Sequence, residues 1–215
     1  AYVYASSSSV YGLNKKIPFS ELHAIDHPAN LYGTSKFADE QIAAAYHNIH
    51  GLKSVGLRFF TVYGPWGRPD MAVSLFTNKI ENGETITLFN GGEMWRDFTF
   101  VDDIVQGIEL SMEYCSDNAA VFNLGNSKPV KLGYFLEQIE KRLGVKAKFK
   151  YQASNAEIKE TYADVSKAHE LLGYQPTTSI ESGLDQFMAW YKKLDKRTRD
   201  EWAGGRFKAG RMRRR

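Results

Sequence analysis

Two side chains in this sequence have types and spacing suited to moving a proton and a hydride: Tyr32 and Lys36, within LYGTSK (31–36). Four residues apart on a helix, they share one face. A phenol with an ordinary pKa of ~10 is a poor base at neutral pH. A fixed ammonium nearby favours the phenolate, so the pair can take a proton from an alcohol while hydride leaves the same carbon. The spacing alone is weak, because Tyr11 and Lys15 repeat it in a stretch that reads as a loop. The surroundings add weight. ASSSSVYG (5–12) puts the hydroxyls of Ser7, Ser8 and Ser9 just after an apolar strand. That is the C-terminal edge of a sheet, where α/β proteins bind ligands. The competing reading is a small-residue turn whose hydroxyls bond local backbone. Downstream stand RFFTVYGPWG (58–67) and RDFTFVDD (96–103), with Arg68 just beyond the first. An arginine fork suits a diphosphate; a surface ion pair is the alternative for Arg68 and Arg96.

The elements that must hold these groups follow from pattern. Residues 1–6 read as a strand and 6–22 as a polar loop. A helix is expected over 30–50, with Asn30 as N-cap and Gly51 as its stop. Residues 54–60 read as a buried strand, and Gly64, Pro65, Gly67 and Pro69 force a loop. A helix over 71–82, a strand over 85–89 and a turn at 90–92 come next. Residues 97–101 read as extended, with Asp102 as cap of a helix running to about 114. A strand is expected at 121–124. Leu132, Phe135, Leu136, Ile139 and Leu143 form a helical stripe closed by Gly144. A strand at 146–151 and a final helix carrying Ile180, Leu184, Phe187 and Tyr191 complete the reading. Strands alternating with helices imply an α/β fold with a parallel sheet. Folds of this kind that bind dinucleotides place a glycine-rich phosphate turn after the first strand, and no such turn lies between a strand and a helix here.

The series of a strand, SSS-x-VYG, Y-x-x-x-K, R-x-F-x-x-x-YGP and RDF-x-x-VDD resembles the extended branch of the short-chain dehydrogenases, enzymes of nucleotide-linked sugars. The match runs over about residues 1–194. Dehydratases of that branch carry Asp-Glu where Ser8 and Ser9 stand, and decarboxylases carry Glu at Ser9; the serines disfavour both reactions. GPWGRPDM (64–71) and TYADVSKAHELLGYQP (161–176) are most similar to UDP-glucuronate 4-epimerases. The resemblance implies a C-terminal part of a Rossmann-like dinucleotide domain over 1–64, a smaller α/β sugar-nucleotide lobe with interleaved Rossmann elements over 65–194, and NAD as cofactor. It implies Tyr32 as base, Ser7 on the reacting oxygen, Lys36 on the nicotinamide ribose and Phe60 near the nicotinamide. Ser8, Ser9, Thr61, Arg68 and Arg96 fall at substrate positions. The implied reaction is 4-epimerisation of a UDP-sugar, foremost UDP-glucuronate, through a 4-keto sugar. UDP-glucose or UDP-xylose, or a catalytically incompetent sugar-nucleotide-binding fragment, are the alternatives. Where the branch shows Gly-Asp-Val before Thr161, this chain has Ala156, Glu157 and Ile158, which predicts a different local loop.

Composition narrows the classes further. The 215 residues are 43% hydrophobic, enough for an ordinary core. No stretch of about 18 apolar residues predicts a membrane span. A lone cysteine, Cys115, cannot close an internal disulfide, which favours a reducing cytoplasmic setting. Histidines 23, 27, 47, 50 and 169 form no metal-ligand pattern. The net charge of +3 hides an asymmetry: residues 195–215 carry nine basic and three acidic side chains, leaving the body at −3. That end reads as a disordered basic tail rather than a specific nucleic-acid site. A homodimer is the expected assembly of the full-length relatives.

Overall fold

The computed structural model describes residues 2–114, 118–153 and 159–203. Ala156, Glu157 and Ile158, Cys115 and the arginines beyond 203 lie outside the described residues. In chain order the elements are β1 (Tyr2–Ser7), α1 (Leu31–His50), β2 (Ser54–Phe59), β3 (Thr61–Tyr63), α2 (Ala72–Glu81), β4 (Thr85–Phe89), β5 (Trp95–Arg96), β6 (Phe98–Phe100), α3 (Val101–Glu113), β7 (Ala120–Leu124), β8 (Val130–Lys131), α4 (Leu132–Leu143), β9 (Lys148–Gln152), β10 (Glu160–Thr161), α5 (Ser166–Leu172), α6 (Ile180–Tyr191) and α7 (Lys196–Ala203). They form two compact units. The first comprises the described residues within Ala1–Val62, Met94–Val130 and Ile158–Thr178; the second, those within Tyr63–Glu93, Lys131–Glu157 and Ser179–Arg215.

The first unit is built on a parallel sheet in the order β1-β2-β7, as the α/β expectation requires. Tyr2 pairs with Ser54 and Ser7 with Phe59, so the serine run leaves the sheet at its C-terminal edge. Strand alternation divides the faces. Val55 and Leu57 join Phe122 and Leu124 under Ile104 of α3 and Ala168 and Leu172 of α5, forming a dry layer. The other face carries Ser6 and Arg58, which turn toward α1, and Gly56, over which the Tyr4 ring lies close enough that a Cβ would meet the phenol oxygen at 2.6 Å. The Tyr2 N–H donates to Lys53 O. By alternation the backbone groups of Ala5 therefore point to the opposite, outer edge of β1.

Between β5 and β6 the chain is pinned by Asp97, which is fully buried. Its Oδ1 accepts from Asn126 N–H (2.7 Å) and Thr99 Oγ1–H (3.1 Å); its Oδ2 accepts from Ala163 N–H (2.9 Å) and Ser127 N–H (3.1 Å). One carboxylate thus joins three segments far apart in sequence. Burial pushes its pKa above the ordinary range, with the hydrogen bonds opposing. Gly125 makes room, since a Cβ there would lie 2.7 Å from Asp97 Oδ2. One expectation changes at the next helix. Asp102 is not the cap of α3: Phe100 occupies that place without a side-chain hydrogen bond, and Asp102 lies in the first turn, where its charge complements the helix dipole. Its neighbour Asp103 accepts instead from the backbone N–H groups of Thr177 (3.0 Å) and Thr178 (3.1 Å).

In the second unit β4 and β9 pair in parallel from Thr85–Lys148 to Phe89–Gln152. Helix α4 packs against α2 and α6. The expected stripe supplies the contact, with Leu132, Phe135, Leu136 and Ile139 buried beside Leu184, Phe187 and Tyr191. Part of the stretch whose composition reads as a tail forms a helix. Residues 196–203 are helical, Asp195 accepts from Thr198 N–H (2.7 Å), and Arg199 pairs with Glu81, which also accepts from Tyr191 OH. An acidic partner on α2 thus meets one of its arginines.

Replacing Asp97 with asparagine keeps the shape but turns an amide NH₂ toward N–H donors. Two buried donors then face a donor, and each costs roughly 1–3 kcal/mol. Asp97→Asn should therefore lower the unfolding free energy in urea by on the order of 3 kcal/mol; an unchanged midpoint would show that the carboxylate is not what joins the three segments.

Candidate active site

The serine run does not continue as a loop. Residues Ser8–Tyr11 make a short 3-10 turn whose N-cap is Ser7, with its Oγ accepting from Ser9 N–H at 3.2 Å. That bond uses the oxygen as acceptor and leaves the Ser7 O–H to donate. Gly12 closes the turn at φ 56°, in a place where a Cβ would sit 1.9 Å from His27 O. Ser7 is 7% exposed, while Ser8 and Ser9 are half-buried. The hydroxyls therefore sit on a backbone fixed at both ends.

Helix α1 starts as its sequence predicts. Asn30 Oδ1 accepts from Gly33 N–H at 2.8 Å, and Gly51, at φ 67°, ends the helix with its N–H on His47 O. Tyr32 lies in the first turn and is 53% exposed, so its phenol is open to a ligand. Lys36 does not hydrogen-bond to that phenol. Its ammonium donates to Ala5 O on the outer edge of β1 (3.0 Å) and to Asp39 Oδ2 (3.2 Å). An ammonium has three donors, so one remains. Lys36 also borders an open groove of about 590 Å³ along β1 and α1.

The second Tyr-x-x-x-Lys pair separates cleanly from the first. Tyr11 is 1% exposed, donates to Asn123 Oδ1 (2.7 Å) and accepts from Arg58 Nη1 (3.0 Å). Burial pushes its phenol up to about 12, the reverse of what a base needs. Tyr11 is interior structure, and the spacing to Lys15 is incidental.

The remaining candidates divide. Phe60 is buried among Val10, Tyr11, Phe19 and Ala163. Thr61 follows it and donates its N–H to Asp97 O at 3.0 Å. Arg96 donates to Trp95 O (2.9 Å) and approaches Met94 Sδ (3.6 Å). Ser7, Ser8, Ser9, Tyr32, Lys36, Phe60, Thr61 and Arg96 thus belong to the first unit. Arg68 belongs to the second, where its exposed guanidinium forks onto Asp70 (3.0 and 2.5 Å) and holds that carboxyl below its ordinary range. Among the described residues no group of three or more His, Cys, Asp or Glu could hold a metal, and no helix is long and apolar enough to cross a membrane.

Residues 1–125 match the model of the NAD dependent epimerase/dehydratase family. The chain belongs to that family. It is 52% identical over 190 residues to the uncharacterized protein MJ1055 of Methanocaldococcus jannaschii, covering 88% of this chain and 58% of that one. It is 46% identical over 208 residues to UDP-glucuronate 4-epimerase 1 of Arabidopsis thaliana, covering 89% and 48%. The fold is similar to that of the UDP-glucuronic acid 4-epimerase from Bacillus cereus in complex with UDP-glucuronic acid and NAD, with a TM-score of 0.83, 34% identity, and 90% and 62% of the two chains covered. It is also similar to a UDP-glucose 4-epimerase from Thermotoga maritima, with a TM-score of 0.80, 29% identity, and 89% and 63% covered. The chain spans roughly half of the curated relatives that it matches.

Three features of this family member escaped the sequence. Gly33 lets α1 approach the serine turn so closely that a Cβ would lie 2.4 Å from Ser9 O. Glu40, four residues beyond Lys36, is 4% exposed, and Arg58, inside an otherwise apolar strand, is equally buried. A charge within a run that reads as a buried strand was the available signal.

Alanine in a helix gains up to ~1 kcal/mol over glycine, whereas overpacking against rigid backbone costs ~1–3 kcal/mol. At 2.4 Å from a carbonyl oxygen the clash wins. Gly33→Ala should lower stability by about 1–2 kcal/mol in denaturant unfolding; a stabilised variant would show that helix and turn part without cost.

Proposed function

We propose that this chain supplies the base and the sugar-binding part of an NAD-dependent UDP-sugar 4-epimerase whose substrate is UDP-glucuronate. The observation that carries the reading is the close packing of two elements. The turn bearing Ser7, Ser8 and Ser9 lies against the first turn of α1, which presents an exposed Tyr32. The first unit is assigned to the C-terminal part of the dinucleotide domain and the second to the sugar-nucleotide lobe.

The residues present fit one end of NAD. Lys36 keeps a third N–H for the nicotinamide ribose, beyond those on Ala5 O and Asp39, and Phe60 is assigned to the nicotinamide side. When bound, NAD supplies the reversible hydride acceptor. Ser7 donates to the 4-oxygen and orients it, and Tyr32 takes the 4-hydroxyl proton. Once the 4-keto sugar has turned over, Tyr32 returns the proton to the same oxygen while hydride is delivered to the opposite face of C4. Thr61 and Arg96 of the first unit are assigned to the nucleotide-sugar. A 4-keto uronate is a β-keto acid, prone to losing CO₂ when its carboxylate aligns with the ketone π system. Ser8 and Ser9 donate hydrogen bonds that hold the carboxylate out of that alignment and offer no carboxylic acid to assist the loss.

Relatives named for UDP-glucuronate support this substrate. A second reading, UDP-glucose, is supported by the resemblance to the UDP-glucose 4-epimerase from Thermotoga maritima.

A full-length protein that carries this chain, given NAD⁺ and UDP-glucuronate, should yield UDP-galacturonate, read by proton NMR of the sugar. Tyr32→Phe should lower turnover by roughly 10²–10⁴-fold, and near-normal turnover in that variant would remove Tyr32 as the base. Faster conversion of UDP-glucose than of UDP-glucuronate would transfer the assignment to the second reading. Ser9→Glu should raise the share of substrate released as CO₂; epimer as its sole product would end the role given to the serine turn.

A further inference from the structure

Beneath the serine turn lies a buried polar chain that the chemistry above does not use. Glu40 on α1 accepts from Ser6 Oγ at 2.5 Å through Oε1, and from Arg58 Nε at 2.8 Å through the same oxygen. Its Oε2 accepts from Arg58 Nη2 at 2.7 Å. The remaining arm of Arg58 reaches Tyr11 OH at 3.0 Å, and Tyr11 donates to Asn123 Oδ1 of β7 at 2.7 Å. All five residues are at most 4% exposed.

The attachment points are specific. Ser6 is the residue before Ser7, and Tyr11 is the last residue of the 3-10 turn, so both ends of the serine turn are tied to one ion pair. Glu40 stands two helical turns beyond Tyr32, on the helix that also carries Lys36. The pair therefore links the two segments that bear the proposed reacting groups, through a bidentate fork with little angular freedom. Stability alone is a poor reason for such a pair, because apolar residues of similar volume often replace a buried ion pair without loss.

We propose that Glu40, through its fork with Arg58, is the positioning residue that fixes Tyr32 relative to Ser7. The proposal rests on the reading of those two residues as the reacting pair. Proton transfer needs heavy atoms within hydrogen-bond reach, and a misplacement of about 1 Å can cost on the order of 100-fold in rate. Glu40 touches no substrate. It acts by holding helix and turn in register.

The decisive variant is Glu40→Met with Arg58→Met, which removes charge and fork together while keeping the volume. Two readouts separate positioning from mere stability. The first is amide hydrogen exchange on the chain itself, which needs no turnover: exchange should quicken at 7–11 and 31–36 by at least about tenfold and stay unchanged in β7. The second is kinetic: kcat should fall by at least about tenfold, with KM within twofold and the unfolding midpoint retained. Exchange at 7–11 and 31–36 like the parent's, or a kcat restored with stability, would overturn the proposal. If the double variant does not fold, Ser6→Ala and Tyr11→Phe each cut one tie and leave the ion pair. Quickened exchange at 7–11 in both supports the role, and parental exchange there refutes it. A full-length parent that turns over no UDP-sugar would count against the proposed function, while exchange would still decide the role of Glu40.

Discussion

A charge in the interior of a protein must be met by an opposite charge or by several well-aimed donors, and the first unit is organised by two answers to that demand. Glu40 is met by Arg58 and Ser6. Asp97 is met by three backbone N–H groups and a threonine hydroxyl, with no cation among its hydrogen-bond partners. Each carboxylate gathers segments that neighbour one another only in the folded chain. Hydrophobic burial collapses such segments without choosing a register; directional bonds to a buried anion choose it, because any slip leaves groups unsatisfied.

The serine turn illustrates the division of labour. Its exit from the sheet is set by β1, its curvature by the Ser7 cap and Gly12, and its height above the sheet by Tyr11. The apolar layer of Val55, Leu57, Phe122 and Leu124 lies on the opposite face of the sheet and contributes rigidity. Polar interior on one face and dry interior on the other give β2 its mixed sequence, Ser-Val-Gly-Leu-Arg-Phe, in which every second residue answers to a different neighbour.

Much of this was legible from residue order. Asn30 and Gly51 bounded α1 because a side-chain acceptor and a left-handed residue are what the two helix ends require. The stripe from Leu132 to Leu143 located α4 for an equally local reason. The motifs of Ser7, Tyr32 and Lys36 occur in a fixed order, and the fold packs the serine turn against the first turn of α1. What was not legible depends on partners distant in sequence. Asp102 resembled a cap, yet the turn before α3 is fixed by Asp97, whose donors lie about 30 and 66 residues further on. Helix α7 forms in a stretch that composition assigns to solvent, and there Arg199 meets Glu81, 118 residues earlier. The seat of the Lys36 ammonium on the Ala5 carbonyl is of the same kind, since that acceptor lies 31 residues earlier.

That last contact reaches beyond chemistry. A lysine stem has four rotatable bonds, and ordering it costs conformational entropy. Seated on the Ala5 carbonyl and on Asp39, the Lys36 ammonium carries that cost within the fold itself. A ligand that takes its remaining N–H meets a donor already oriented, and ordering the stem is no longer charged to binding.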